Sequence, residues 1–146
     1  MPRYFTVDQA TALLPRVERH LRDALFARNE YRQAEEAFVD FQKKILFAGG
    51  SAVDREKITK IVAQKGASAV ILQHEMDALD ALGVQVKDLD IGLIDFPTRY
   101  RGKDVLLCWQ FGEDAIRHWH GLADGYRGRK PIDEAFLTGH SADSEQ

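Results

Sequence analysis

The chain has 146 residues, of which 45% are hydrophobic and 29% are charged, with a formal net charge of −3. This length predicts a single domain with a real core. The charge balance gives no reason to expect nucleic acid or an anionic membrane as a partner, and a lone cysteine excludes an intramolecular disulfide framework.

The N-terminal stretch MPRYFTVDQA lacks the apolar run of a signal peptide. No apolar run in the chain approaches the roughly 20 residues that are needed to span a bilayer. These features predict a cytoplasmic protein in a reducing compartment, with no membrane as partner.

A helix start is predicted at the N-terminus, where Thr6 and Gln9 have the spacing of a capping box. Pro15 is expected to interrupt this helix, because proline lacks an amide hydrogen and clashes with the preceding turn. The sequence therefore predicts a short helix over 7–14 and a separate long helix over 15–48, with the proline in its first turn.

A second long helix is predicted over 52–82 from apolar residues spaced three and four apart. Its N-cap is Asp54 or Ser51, and Gly83 ends it by adopting a left-handed conformation. The Gly49-Gly50 connection is short, so the two long helices are expected to be antiparallel neighbours.

A β-hairpin is predicted over 90–111, where IGLIDFP and DVLLCWQF are short, apolar and bounded by turn formers. The Arg101-Gly102 pair between them suits a tight two-residue turn. That turn sets a register in which Asp95 faces Cys108.

A further short helix is predicted over 113–123, and a flexible polar tail over 138–146. The expected fold is α+β and mostly α, in one domain over 1–137. A long antiparallel helical hairpin carries a C-terminal β-hairpin and a short helix, both packed on its open end.

Three blocks of the sequence resemble a known family. They are FTVDQATALLPRV, LGVQVKDLDIGLIDFP and VLLCWQFGEDAIRHWHGLADGYRGRKPI. Together they resemble the bacterial domain-of-unknown-function family 2203 over about residues 4–132, and the last block is the most specific because LCW, GE, HWH and GRKPI occur in that family's order and spacing. The resemblance implies no activity; it implies that the special residues lie in these blocks.

The HWH motif raises the question of a metal site, because histidines and carboxylates are natural ligands of divalent ions such as zinc. On a strand His118 and His120 would point to the same side, whereas on the predicted helix they lie about 200° apart. The helix therefore argues against joint ligation and places His120 one turn from Asp124. The candidate ligands are His120, Asp124, Asp95, Glu113, His118, Asp90 and Glu75.

Two other interpretations of these residues stay open. The charged residues can form a solvated face linked by salt bridges, and a histidine can hydrogen-bond a partner in the core. Asp95, in a half-buried strand, requires a partner such as His120 or Arg117, because an unpaired buried carboxylate is costly. It is then either a structural ion pair or a ligand or base with a perturbed pKa.

Cys108 is expected to be a small buried hydrophobe in mid-strand; a nucleophile activated by histidine is the alternative. The Gly-rich loop DGYRGRKPI offers Arg127, Arg129 and Lys130 as a candidate anion-binding set.

The overall prediction is a binding or interaction module with a polar C-terminal site that is a candidate metal site. The alternatives are a metal-dependent hydrolase that uses the histidine and acid cluster, and a module that binds anions or nucleic acid through the basic loop. Whether the protein is an enzyme is left open.

A homodimer through the helical hairpin is predicted because apolar residues cluster near the hairpin tip. These residues are Phe38, Phe41, Phe47, Ile58 and Ile61.

Overall fold

The computed structural model describes residues 3–47 and 54–143. The fold is α+β, as predicted, with a helix packed on a second helix, an antiparallel sheet and a short C-terminal helix. The chain divides into two compact units, one formed by Met1–His20 with Asp77–Gln146 and the other by Leu21–Met76. The expectation of one domain over 1–137 stays a prediction.

The first helix, α1, runs without a break over Val7–Phe47 and contains Pro15. The predicted division into helices over 7–14 and 15–48 is therefore wrong. Pro15 is exposed, so its ring meets solvent, and it removes only one backbone hydrogen bond. Ala10 and Val17, one on each side of it, are both fully buried, and their packing on a common stripe outweighs the local penalty.

Both long helices begin at predicted caps. The capping box is confirmed: the Thr6 amide donates to Gln9 Oε1 at 3.0 Å, and the Gln9 amide donates to Thr6 Oγ1 at 3.1 Å. Asp54 Oδ1 accepts from the Lys57 amide at 3.0 Å at the start of the second helix, α2, which spans Arg55–Ala81. The predicted Ser51 cap, the Gly49-Gly50 connection and the first residues of the predicted 52–82 helix lie outside the described residues.

The second unit is the helical hairpin. Its buried face on α1 consists mostly of small side chains, and an α2 glutamine links the two helices, because Gln64 Nε2 donates to Glu30 Oε2 at 2.9 Å. The buried residues are Leu21, Ala24, Ala27, Ala34 and Phe41 on α1, with Ile61 and Ser68 on α2.

The first unit is built around a six-stranded antiparallel sheet. The strands are β1 (Gln85–Asp88), β2 (Leu93–Tyr100), β3 (Lys103–Gln110), β4 (His118–Gly121), β5 (Lys130–Pro131) and β6 (His140–Ser141). Their order is β1-β2-β3-β4-β5, and β6 pairs with β2. None of the helices in the described part of the chain combines the length and apolar character needed to cross a bilayer.

The predicted β-hairpin is confirmed as β2 and β3, including its register. Asp95 pairs with Cys108, and Leu93 pairs with Gln110. The turn residues Arg101 and Gly102 both have positive φ, 53° and 77°, which a tight two-residue turn of this kind requires.

The helix predicted over 113–123 is wrong, because residues 118–121 form strand β4 beside β3. Most of β3 is buried, so the backbone amides and carbonyls along its edge need hydrogen-bonded partners. The sequence His118-Trp119-His120 supplies the two-residue alternation of a strand, with Trp119 stacking on Phe136 at 4.9 Å between ring centroids. Strand pairing and aromatic packing therefore override the helical pattern.

The flexible tail predicted over 138–146 is also wrong for its described part. The third helix, α3, spans Glu134–Gly139 and is capped by Asp133, whose Oδ1 accepts from the Phe136 amide at 2.8 Å. The chain then pairs with β2 through β6. Residues 144–146 lie outside the described residues.

Candidate metal centre

Three neighbouring strands place one potential ligand each at a common point on one face of the sheet. Asp95 lies on β2, Cys108 faces it on β3, and His120 follows on β4. A carboxylate oxygen, the Cys108 sulfur and a His120 ring nitrogen lie within 4.8 Å of one another. All three residues are buried, with at most 2% of their surface exposed.

The orientation of His120 is fixed by two sets of contacts. Its Nδ1 lies 2.8 Å from the Gly121 carbonyl oxygen, and its Nε2 lies 3.1 Å from both carboxylate oxygens of Asp95. A carbonyl oxygen only accepts hydrogen bonds, so Nδ1 carries a proton and donates it, and the contact between Nε2 and the carboxylate requires a second proton, on Nε2 or on Asp95. Nε2 therefore points into the cluster, in the orientation that a backbone carbonyl imposes on metal-binding histidines.

Burial controls the protonation of the other two residues. Burial raises the pKa of Asp95 above its usual value of 3.8, against the opposing effect of the His120 ring. Burial and the adjacent Asp95 carboxylate raise the pKa of the Cys108 thiol to about 12. A thiol with this pKa is protonated at neutral pH and is a poor nucleophile, which disfavours a catalytic cysteine.

An ion pair lies next to the cluster. Arg129 Nη2 donates to Glu113 Oε1 at 2.8 Å and Oε2 at 3.1 Å, and it lies 3.4 Å from the Cys108 carbonyl oxygen. Glu113 Oε1 also accepts from the Gln110 amide at 2.6 Å. The Arg129 side chain is 12% exposed, so much of its charge is engaged by Glu113.

The other two basic residues of the loop behave differently. Lys130 Nζ lies over the Trp119 ring, 4.8 Å from its centroid, while Arg127 is exposed. The anion-binding set of Arg127, Arg129 and Lys130 thus stays a prediction.

His118 lies on the same face of β4 as His120, two residues away. The prediction that the two rings point away from each other is wrong, because it depended on a helix. His118 is nevertheless turned toward Glu113, with Nδ1 3.9 Å from Glu113 Oε2, and this nitrogen is buried without a hydrogen-bond partner.

The remaining predicted ligands lie elsewhere. Asp124 Oδ2 accepts from the Gly121 amide at 3.2 Å, and Asp90 donates through its amide to Asp88 Oδ1 at 2.9 Å. Glu75 belongs to the second unit. Across residues 3–47 and 54–143, the group of potential metal ligands is Asp95, Cys108 and His120.

Cys108 is the potential ligand that the sequence analysis did not include. Its facing position to Asp95 was predicted, and that register alone puts the thiol beside the carboxylate. The three-residue cluster could not be predicted because residues 118–121 were expected to be helical. As a strand, they place His120 beside Asp95 and Cys108.

The comparison with protein families gave a match over most of the chain. Residues 3–132 match the family described as Uncharacterized conserved protein (DUF2203). Neither the curated proteins nor the solved structures gave a match. Because the family match covers well over half of the chain, the chain belongs to the DUF2203 family.

Proposed function

We propose that this protein binds one divalent transition metal ion, with zinc as the first candidate, through Asp95, Cys108 and His120. The observation that carries the proposal is the convergence of three different ligand types within 4.8 Å at buried positions. Backbone pairing of β2, β3 and β4 fixes where these residues lie on the sheet, so side-chain movement alone is needed to bring the ligand atoms onto an ion.

The ligand types suit zinc, and the distance between two of the three ligands is near that of a zinc site. Zinc takes sulfur at about 2.3 Å and nitrogen or oxygen at about 2.0–2.2 Å. Two such ligands in a tetrahedral site lie roughly 3.2–3.7 Å apart, close to the 3.1 Å between His120 Nε2 and the Asp95 oxygens. A bound cation would also offset the cost of burying the Asp95 carboxylate and would hold Cys108 as thiolate.

Burial favours a binding role over catalysis. The side chains of His120 and Asp95 are 3% and 1% exposed, which leaves little access for a substrate to an ion between them. The second candidate is a metal-dependent hydrolase, which the ligand count favours because catalytic zinc sites have three protein ligands and an open fourth position.

Two further proposals concern the cellular location and the oligomeric state of the protein. A cytoplasmic location fits a free thiol that must stay reduced to bind metal. A homodimer through the helical hairpin is supported by exposed apolar residues in the second unit, although Phe41 and Ile61 are already buried within one chain. The exposed residues include Phe26, Leu46, Phe47 and Val70.

The metal content of untagged protein tests the proposal. We expect about one zinc ion per wild-type chain, and loss of the ion from the isosteric variant Cys108→Ser and from His120→Ala. His140→Ala is the matched control, since both nitrogens of that ring are engaged elsewhere, with Nε2 accepting from the Val7 amide at 3.0 Å. If zinc, manganese, nickel and iron all fail to bind the wild type or to raise its melting temperature, the cluster is a hydrogen-bonded clasp within the sheet.

A further inference from the structure

We infer that His118 is the fourth ligand of this metal centre, so that the ion is enclosed by Asp95, Cys108, His120 and His118. The inference rests on the proposed function. It goes beyond it by assigning a closed, four-coordinate site in place of a three-ligand site with an open position.

The position of His118 on the sheet places it close to the other three ligands. Its backbone pairs directly with Cys108, and it shares a strand face with His120 because residues two apart on a strand point to the same side. Side chains that face each other across strands have Cβ atoms about 4.5–5.5 Å apart. Rotation about the side-chain bonds of His118 can therefore carry its ring toward an ion held by the Cys108 sulfur.

The contacts of the His118 ring leave one of its nitrogens available to a metal ion. Nδ1 is buried and has no hydrogen-bond partner among the described residues. The 3.9 Å to Glu113 Oε2 is too long for a hydrogen bond. A buried ring nitrogen without a partner is unfavourable, so His118 Nδ1 is a polar group that a metal ion would satisfy.

Glu113 is a weaker candidate for the fourth position. Its carboxylate already accepts from Arg129 Nη2 at 2.8 Å and from the Gln110 amide at 2.6 Å. Moving it to the ion would leave the half-buried Arg129 without its counter-ion, whereas moving His118 breaks no hydrogen bond at Nδ1. Structural zinc sites are almost always four-coordinate and tetrahedral, and burial of the other three ligands favours a protein group over water in the fourth position.

Cobalt titration of the metal-free protein tests the assignment, because the intensity of the visible cobalt bands reports coordination number and the sulfur-to-cobalt band reports Cys108. We expect a tetrahedral spectrum for the wild type. His118→Ala should keep the sulfur band, change the visible bands and weaken cobalt binding by about 100-fold or more, beyond the loss caused by a residue that only orients a ligand. His118→Gln retains a side chain of similar size and should show the same change. It serves as the test variant where the alanine variant does not fold.

Glu113→Gln is the matched control, since it alters the neighbour of His118 and leaves the imidazole in place. Its cobalt spectrum should match the wild type. Unchanged spectra and affinity in both His118 variants would overturn the assignment and leave the three-ligand site standing. Equal losses in Glu113→Gln and His118→Gln would also overturn it, by showing that His118 acts through Glu113. A wild type that binds no cobalt would remove the metal proposal itself.

Discussion

The Cys108 thiol lies on β3 between a carboxylate on β2 and an imidazole on β4. Burial raises its pKa to about 12, so the metal-free thiol is protonated and shielded. We predict that the folded, metal-free protein does not react with a disulfide thiol reagent at pH 8, and that one thiol per chain reacts after unfolding in guanidinium. Rapid reaction of the native protein would show that Cys108 is neither buried nor protonated as described.

Zinc binding should be strongly pH dependent. A zinc ligand must be a thiolate, and the pKa of about 12 means that the ion displaces the Cys108 proton at neutral pH. We predict release of at least one proton per zinc at pH 7, with apparent affinity falling about tenfold per pH unit for each proton released as pH decreases. Calorimetry in buffers of different ionisation enthalpy measures the number of protons. Zinc binding to the wild type without proton release would contradict thiolate ligation.

At the residue level, the sequence could predict part of the centre. Because β2 and β3 share a tight turn, the Asp95–Cys108 pairing followed from turn chemistry, and His120 was among the expected partners of Asp95. The role of Cys108 could not be predicted without the neighbouring strand. Helical spacing predicts Asp124 beside His120, but this spacing does not apply because residues 118–121 form a strand.

Helix α1 continues through a proline because the packing of its buried residues outweighs the local cost of the proline. Pro15 is exposed and leaves the Thr11 carbonyl without its usual amide donor. We predict that Pro15→Ala raises the free energy of unfolding by about 1–3 kcal/mol, because alanine restores the donor and has the best helix propensity. Arg19→Ala, at another exposed position of α1, should stay within about 0.5 kcal/mol of the wild type.

Urea denaturation compares these variants. Lower stability of Pro15→Ala would show that the proline sets a bend that the first unit needs.

At the element level, the sequence could predict the helix caps and the tight turn, because residues close in sequence form them. The capping box at Thr6, the cap at Asp54 and the turn at Arg101-Gly102 involve residues close in sequence, and all three are confirmed. Strand β4 could not be predicted in this way. Its strand state depends on pairing with β3 and on stacking of Trp119 with Phe136, which lies 17 positions along the chain.

The whole molecule presents apolar side chains on its helical hairpin. Phe47 is 90% exposed and Val70 is 70% exposed. We predict that light scattering gives twice the mass of one chain, and that Phe47→Glu and Val70→Glu together shift the protein to the monomer. Leu122→Glu is the control, since this exposed leucine lies in the first unit. A wild-type monomer at micromolar concentration would remove the homodimer proposal.

The proposed metal ion in the sheet of the first unit is held through one sulfur and neighbouring nitrogen and oxygen ligands. X-ray absorption spectroscopy of the zinc-loaded, untagged protein is the decisive measurement, because it counts the atoms bound to zinc. We predict one sulfur at about 2.3 Å and three nitrogen or oxygen atoms at about 2.0–2.2 Å, with the sulfur absent in Cys108→Ser. A zinc shell without sulfur in the wild type, or a protein that retains no zinc, would contradict it.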